Sequence, residues 1–157
     1  MTAQNNESSC EHGKGPVRAI PVLMLKNADK AIEHYKRAFG AVEMHRTLFP
    51  GSGKIAHAGL KIGVTEFFIA EENAESGCVA ATNQSFYLYV PDADKVFETA
   101  KKAGLKEVQP VADQFWGDRM GTLSDPYGLK WSVATHVRDV SPKEMEEAMK
   151  KMAKQAA

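Results

Sequence analysis

The second half of this chain repeats the first. Advancing by 65 positions lays Ala28, Asp29, Lys30, Glu33, Lys36 and Ala38 on Ala93, Asp94, Lys95, Glu98, Lys101 and Ala103, with Ile32 on Phe97, Arg37 on Lys102 and Leu23 on Leu88. A repeat restricts the fold: each unit must bury its own apolar helix stripe against its own strands, which leaves one side of its sheet open. In the first unit residues 17–25 are β-rich, with Pro21 marking an edge or a local irregularity. Residues 28–39 carry apolar side chains at helical spacing, with Asn27 as N-cap and Gly40 as stop. Strand candidates follow at 41–49, 54–62 and 65–71, divided by Pro50-Gly51-Ser52-Gly53 and by Gly63. After a polar loop at 72–83 the order restarts, with a strand at 84–90, a helix at 93–103 between Asp92 and Gly104, and strands at 106–111, 116–123 and 129–136. Two short amphipathic helices can resemble each other by chance, but the strands around them recur in the same order as well. The expected fold is α+β, with two tandem βαβββ modules, residues 17–71 and 84–136, forming one domain around a curled mixed sheet.

The last two strands form a hairpin across Asp125-Pro126-Tyr127-Gly128, with proline at the first central turn position. Side chains alternate along a strand, so Leu129, Trp131 and Val133 point one way and Lys130, Ser132, Ala134 and His136 the other. The first face is apolar and the second polar enough to line a site. On the preceding strand, Trp116, Asp118 and Arg119 place an indole, a carboxylate and a guanidinium together, a set that grips planar or anionic groups. The competing reading is an Asp-Arg pair that only ties the hairpin.

Twenty basic residues balance twenty acidic ones, which leaves no overall field to draw in nucleic acid or an anionic membrane. Apolar runs are too short to cross a bilayer and the start lacks the apolar core of a signal peptide, so a cytoplasmic location is expected. Cys10 and Cys78 have neither the number nor the spacing of a disulfide framework or zinc knuckle. Residues 1–16 carry too few large apolar side chains to offset the entropy of ordering, and a disordered leader is expected there. Residues 141–155 open with Ser141-Pro142-Lys143-Glu144, a capping box, and form a C-terminal helix with a stripe of Met145, Ala148, Met149 and Met152. That stripe packs on its own subunit or on a partner.

A duplicated βαβββ unit ending in a strand-DPxG-strand hairpin resembles the vicinal oxygen chelate superfamily of glyoxalase I, extradiol dioxygenases, fosfomycin-resistance and bleomycin-resistance proteins. The runs Ala38-Phe39-Gly40-Ala41, Gly53-Lys54-Ile55-Ala56-His57-Ala58, Asp113-Gln114-Phe115-Trp116-Gly117-Asp118-Arg119, Asp125-Pro126-Tyr127-Gly128, Trp131-Ser132-Val133-Ala134-Thr135-His136 and Asp139-Val140-Ser141-Pro142 are similar to its PhnB-like branch. The resemblance implies the glyoxalase/bleomycin resistance fold, with sheets curled into a cup that is often completed across a homodimer. In the family's metal enzymes His or Glu from the first and last strand of each module line that cup. Here those positions fall on Ile20, Ser85, Ser132 and Phe67 or Phe68, with Glu66 nearby. None of the four is a good ligand for a divalent transition metal, so no metal is expected, and a divalent metal at an unrecognised site is the alternative. Relatives tend to carry a glutamate where Gly59 stands.

What is left is a concave site of Ser85, Tyr87, Tyr89, Trp116, Asp118, Arg119, Ser132 and His136, suited to a small aromatic or anionic organic molecule. His57 and Asp118 are the candidates for proton transfer; for His57 the competing reading is a hydrogen-bonded structural histidine. His34 and His45 have no carboxylate or cysteine at ligand spacing, and His12 lies in the leader. Two functions compete. One is a metal-free, homodimeric binding protein that sequesters a small molecule. The other is a lyase, isomerase or dioxygenase of the glyoxalase type.

Overall fold

A computed structural model of the chain describes residues 20–74, 79–80 and 84–155; the leader expected at 1–16, Cys10, His12 and Cys78 lie outside them. The elements run β1 (Val22–Leu25), α1 (Ala28–Phe39), β2 (Val42–Leu48), β3 (Ile55–Ile62), β4 (Thr65–Glu71), β5 (Ser85–Tyr89), α2 (Ala93–Lys102), β6 (Lys106–Asp113), β7 (Asp118–Ser124), β8 (Lys130–His136) and α3 (Pro142–Gln155). The repeat is visible in the topology. The two four-stranded sheets have the orders β1-β4-β3-β2 and β5-β8-β7-β6, and in each the first strand runs parallel to the last.

Both helices start at equivalent residues, but they are capped differently. Asp92 caps α2 in the ordinary way, its carboxylate accepting from the Lys95 amide at 3.0 Å. Asn27 does not cap α1: it sits in the left-handed region at φ 56° and makes no side-chain cap. The Glu71 carboxylate at the end of β4 accepts from the amides of Asn27 and Ala28 instead, at 3.0 and 2.9 Å. Gly40 ends α1 at φ 65°, as expected. Strand β1 is shorter than the sequence suggests, because Pro21 lies before it, where its carbonyl accepts from the Phe68 amide at 2.8 Å and its missing N–H costs no ladder bond. Phe115 and Trp116 fall in a turn rather than in β7. Gly117 makes this turn at φ 99°, where a Cβ would lie 2.1 Å from the Arg138 carbonyl oxygen.

The core is shared by the two modules. The helices α1 and α2 pack together, each covering one face of its own sheet. Trp131 on β8 lies 4.4 Å from the Phe39 ring, 4.6 Å from Phe86 and 5.1 Å from Tyr35, so aromatic rings from both modules meet around one indole. Asp125, in the DPxG turn, anchors that junction from inside. It accepts from the Tyr35 hydroxyl at 2.7 Å, the Trp131 indole N–H at 2.9 Å, and the amides of Tyr127 and Leu129. Burial and this carboxylate together push the Tyr35 phenol far up.

Among the described residues, no helix covers the opposite face of either sheet. Helix α3 begins with the expected capping box, in which Ser141 Oγ accepts from the Glu144 amide and Glu144 accepts from the Ser141 amide. It lies away from the sheets, and Met149 and Met152 stay exposed.

Candidate functional site

On the open face of the second module, one carboxylate organises four neighbours. Asp118, at the start of β7, is only 2% exposed. Its Oδ2 accepts from the Tyr87 hydroxyl at 2.7 Å, the Tyr89 hydroxyl at 2.9 Å and the Trp116 indole N–H at 3.2 Å. Strand register explains the gathering: Asp118 pairs with His136, and Tyr87 and Tyr89 on β5 face the same side from across β8. Burial pushes the Asp118 carboxyl up, but the hydrogen bonds from Tyr87, His136, Tyr89 and Trp116 outweigh it and hold the group below its ordinary range.

His136 is held between two carboxylates, with Nδ1 3.1 Å from Asp118 Oδ1 and Nε2 2.9 Å from Asp139 Oδ1. Ionised carboxylates only accept, so both ring nitrogens donate and the imidazolium is favoured. The bond to Asp139, then that to Asp118, raises its pKa. Burial and the Asp118 bond push Tyr87 up to about 12. The Tyr87 and Tyr89 rings are tethered by their hydroxyls yet remain 46% and 62% exposed. The result is a trio of aromatic surfaces fixed in orientation by one buried charge.

The structure thus brings together Tyr87, Tyr89, Trp116, Asp118 and His136, and adds Asp139, which sequence reasoning placed only in a trailing motif. Ser132 lies on the same face opposite Thr122, their hydroxyls 3.4 Å apart, and Ser85 sits farther along opposite Lys130. Arg119 does not join them. Alternation along β7 turns it to the helix side, where it pairs with Asp94 of α2 at 2.7 Å and with Asp113 at 3.1 Å. The guanidinium expected to grip an anion therefore ties α2 to its sheet and β7 to β6, in a structural role like the competing reading but through Asp94 and Asp113 rather than Asp118.

The open face of the first module carries a second arrangement. His45 Nε2 lies 3.0 Å from His57 Nδ1, the rings nearly parallel at 15°, and the Phe68 ring meets both edge-on. One nitrogen of this contact must donate and the other accept. The pair exists because of Gly59: a Cβ there would lie 2.2 Å from His45 Cε1. His57 was legible as a candidate and His45 was not. The missed signal is positional, since β2–β3 pairing sets His45 opposite Gly59 and Thr47 opposite His57.

The register also settles the positions where the fold family's metal ligands are expected. Phe67 is buried in the core, leaving Phe68 on the open face, with Glu66 opposite Lys61. The register puts Tyr87, not Ser85, opposite Ser132, and Val22, not Ile20, opposite Phe68, so the expected first-strand positions shift by two residues. Aromatic and aliphatic side chains plus neutral hydroxyls do not fit a divalent ion, and among the described residues no three His, Cys, Asp or Glu are placed to hold one.

Residues 19–133 match the family model described as the Glyoxalase/Bleomycin resistance protein/Dioxygenase superfamily. The chain is 34% identical over 137 residues to the uncharacterized protein Rv0887c of Mycobacterium tuberculosis, covering 82% of this chain and 80% of that one. Among solved structures it is similar to TioX from Micromonospora sp. ML1, with 28% identity and a TM-score of 0.60 over 76% of this chain and all of that one (100%). It also shares its fold with the PhnB protein from Bacillus cereus, with 16% identity and a TM-score of 0.62 over 76% of this chain and 99% of the other.

Proposed function

This chain belongs to the glyoxalase/bleomycin resistance protein/dioxygenase superfamily, and on that premise we propose that it is a metal-free binding protein of the PhnB-like branch, sequestering a flat aromatic molecule on the open face of its second module. The observation that carries the reading is the Asp118 cluster. Three hydrogen bonds to one oxygen hold Tyr87, Tyr89 and Trp116 with ring surface toward solvent, so a planar ligand meets surfaces already in place. The anionic ligand first expected loses its support with Arg119, which is committed to Asp94 and Asp113. Binding is proposed to occur in a homodimer in the cytoplasm. The open sheet faces, with Val22, Tyr87 and Tyr89 exposed, and the exposed methionines of α3 favour a second copy. Light scattering at micromolar concentration should give twice the chain mass of 17.2 kDa.

Thermal unfolding with 2-naphthol as probe tests the site. Saturating ligand should raise the midpoint, and Trp116→Leu should abolish most of the rise. Stabilisation that survives Trp116→Leu places the ligand elsewhere.

A second reading, an enzyme of the glyoxalase type, is favoured by the His45–His57 contact, which sets two proton-exchanging rings on the open face of the first module. Equilibration with zinc, nickel, manganese or iron(II) followed by desalting discriminates. Stoichiometric metal retention supports the enzyme, and a desalted protein without metal that responds to 2-naphthol supports the binder.

A further inference from the structure

Strand β5 has a second wall. Its tyrosine hydroxyls turn toward Asp118, and Tyr87, Leu88, Tyr89 and Val90 together border a cleft of about 950 Å³ between the end of α1, the β3–β4 turn and the start of α2. That volume suits a small molecule. Its walls include Phe39, Ile62, Leu88 and Val96, and four charged side chains reach it. Two are committed: Lys36 to Glu33 and Glu43 at 2.8 and 2.6 Å, and Asp92 to the cap of α2. The other two, Arg37 and Lys95, form no ion pair among the described residues, although this chain carries as many acids as bases. An apolar cleft with two uncommitted cations and no uncommitted acid has a defined polarity.

We propose that this cleft binds an amphiphile with an apolar body and one anionic head group, such as a medium-chain carboxylate, the head on Arg37 and Lys95 and the tail along Phe39, Ile62, Leu88 and Val96. Tyr87 and Tyr89 border both this cleft and the aromatic cluster, but the two share no charged group, so head-group preference reads this cleft alone.

The test is calorimetric titration of the full chain with dodecanoate, dodecyltrimethylammonium and dodecanol, all below their micellar concentrations. Dodecanoate should bind on the order of tenfold more tightly than either of the others, the scale of a charge-assisted contact. Arg37→Gln with Lys95→Glu should erase that preference. If the double variant fails to fold by circular dichroism, Lys95→Glu alone carries the test. It places an acid in the first turn of α2, where the helix favours one, and should still cost several-fold in dodecanoate affinity. Equal affinity for the three head groups, or a preference for dodecanoate that survives the charge changes, overturns the proposal. The head-group preference is read at Arg37 and Lys95 and the 2-naphthol response at Trp116, so failure of either test leaves the other standing.

Discussion

Replacing Asp118 with asparagine changes one charge and almost no volume, and the tyrosines report the consequence. The chain has four tyrosines, and all four phenols are raised above their ordinary value: Tyr35 and Tyr127 by burial and Asp125, Tyr87 by burial and then Asp118, Tyr89 by Asp118 first. Absorbance at 295 nm should therefore show little tyrosinate at pH 10 in the native protein. The introduced amide keeps one acceptor oxygen but not the charge that favours a protonated phenol beside it. Tyr89 should fall most of the way to an ordinary phenol. Tyr87 should fall from about 12 only part of the way, since its burial, the larger cause, persists. Half the absorbance amplitude then moves to lower pH and the half from Tyr35 and Tyr127 does not. His136 loses one of its two carboxylate partners, so its pKa, read from the ring proton in an NMR titration, should fall as well. A titration curve indistinguishable from the native one, in a variant with native circular dichroism, would refute the cluster as the organiser of this face.

Other perturbations probe the supports around it. Asp125→Ala strands the Tyr35 hydroxyl and the Trp131 indole N–H in the shared core, and should cost about 3–5 kcal/mol in urea unfolding; a loss below about 1 kcal/mol contradicts the anchoring role. Gly59→Ala should expel His45 from its place over β3, moving the His45 and His57 ring-proton shifts in NMR spectra; unchanged spectra would mean that the rings do not meet. His34 is 5% exposed, its Nε2 has no partner, and burial, then Arg37, lowers its pKa against a weaker opposing pull from Asp125. A histidine lowered on folding contributes stability that is present above its unfolded value near 6.5 and lost as pH falls below it. The melting temperature should thus drop between pH 7.5 and 5.5, and His34→Phe should flatten that drop. His136 has the opposite sign, adding stability below 6.5 that fades as pH rises through its raised value, but its exposed position keeps that contribution small.

Much of the fold was legible because its signals are local. Glycine at the stops, alternation along β8 and the helical spacing of Ala28, Ile32 and Tyr35 each act within a few residues, and the repeat doubled every one of them. The site was legible where alternation alone decides the face, as for Ser132 and His136. It was not legible where the partner is remote. Arg119 reads as a ligand-gripping guanidinium until α2 delivers Asp94 to it across 25 residues, and Asp125 reads as a turn residue until Tyr35 reaches it from 90 residues away. His45 was passed over because its significance lies in the empty Cβ position of Gly59, and a glycine in a strand announces room without saying which side chain will fill it.

The unequal helix caps bear on how the chain assembles. The second helix carries its start signal three residues from where it is used, so that turn can form as soon as its own segment exists. The first helix waits for Glu71, 43 and 44 residues downstream, and the long loop that this carboxylate closes must be drawn in before the first amides are satisfied. Duplication kept one long-range clasp in each half, Glu71 on the Ala28 amide and Thr135 on the Ala93 amide, and only the C-terminal helix adds a local one from Asp92.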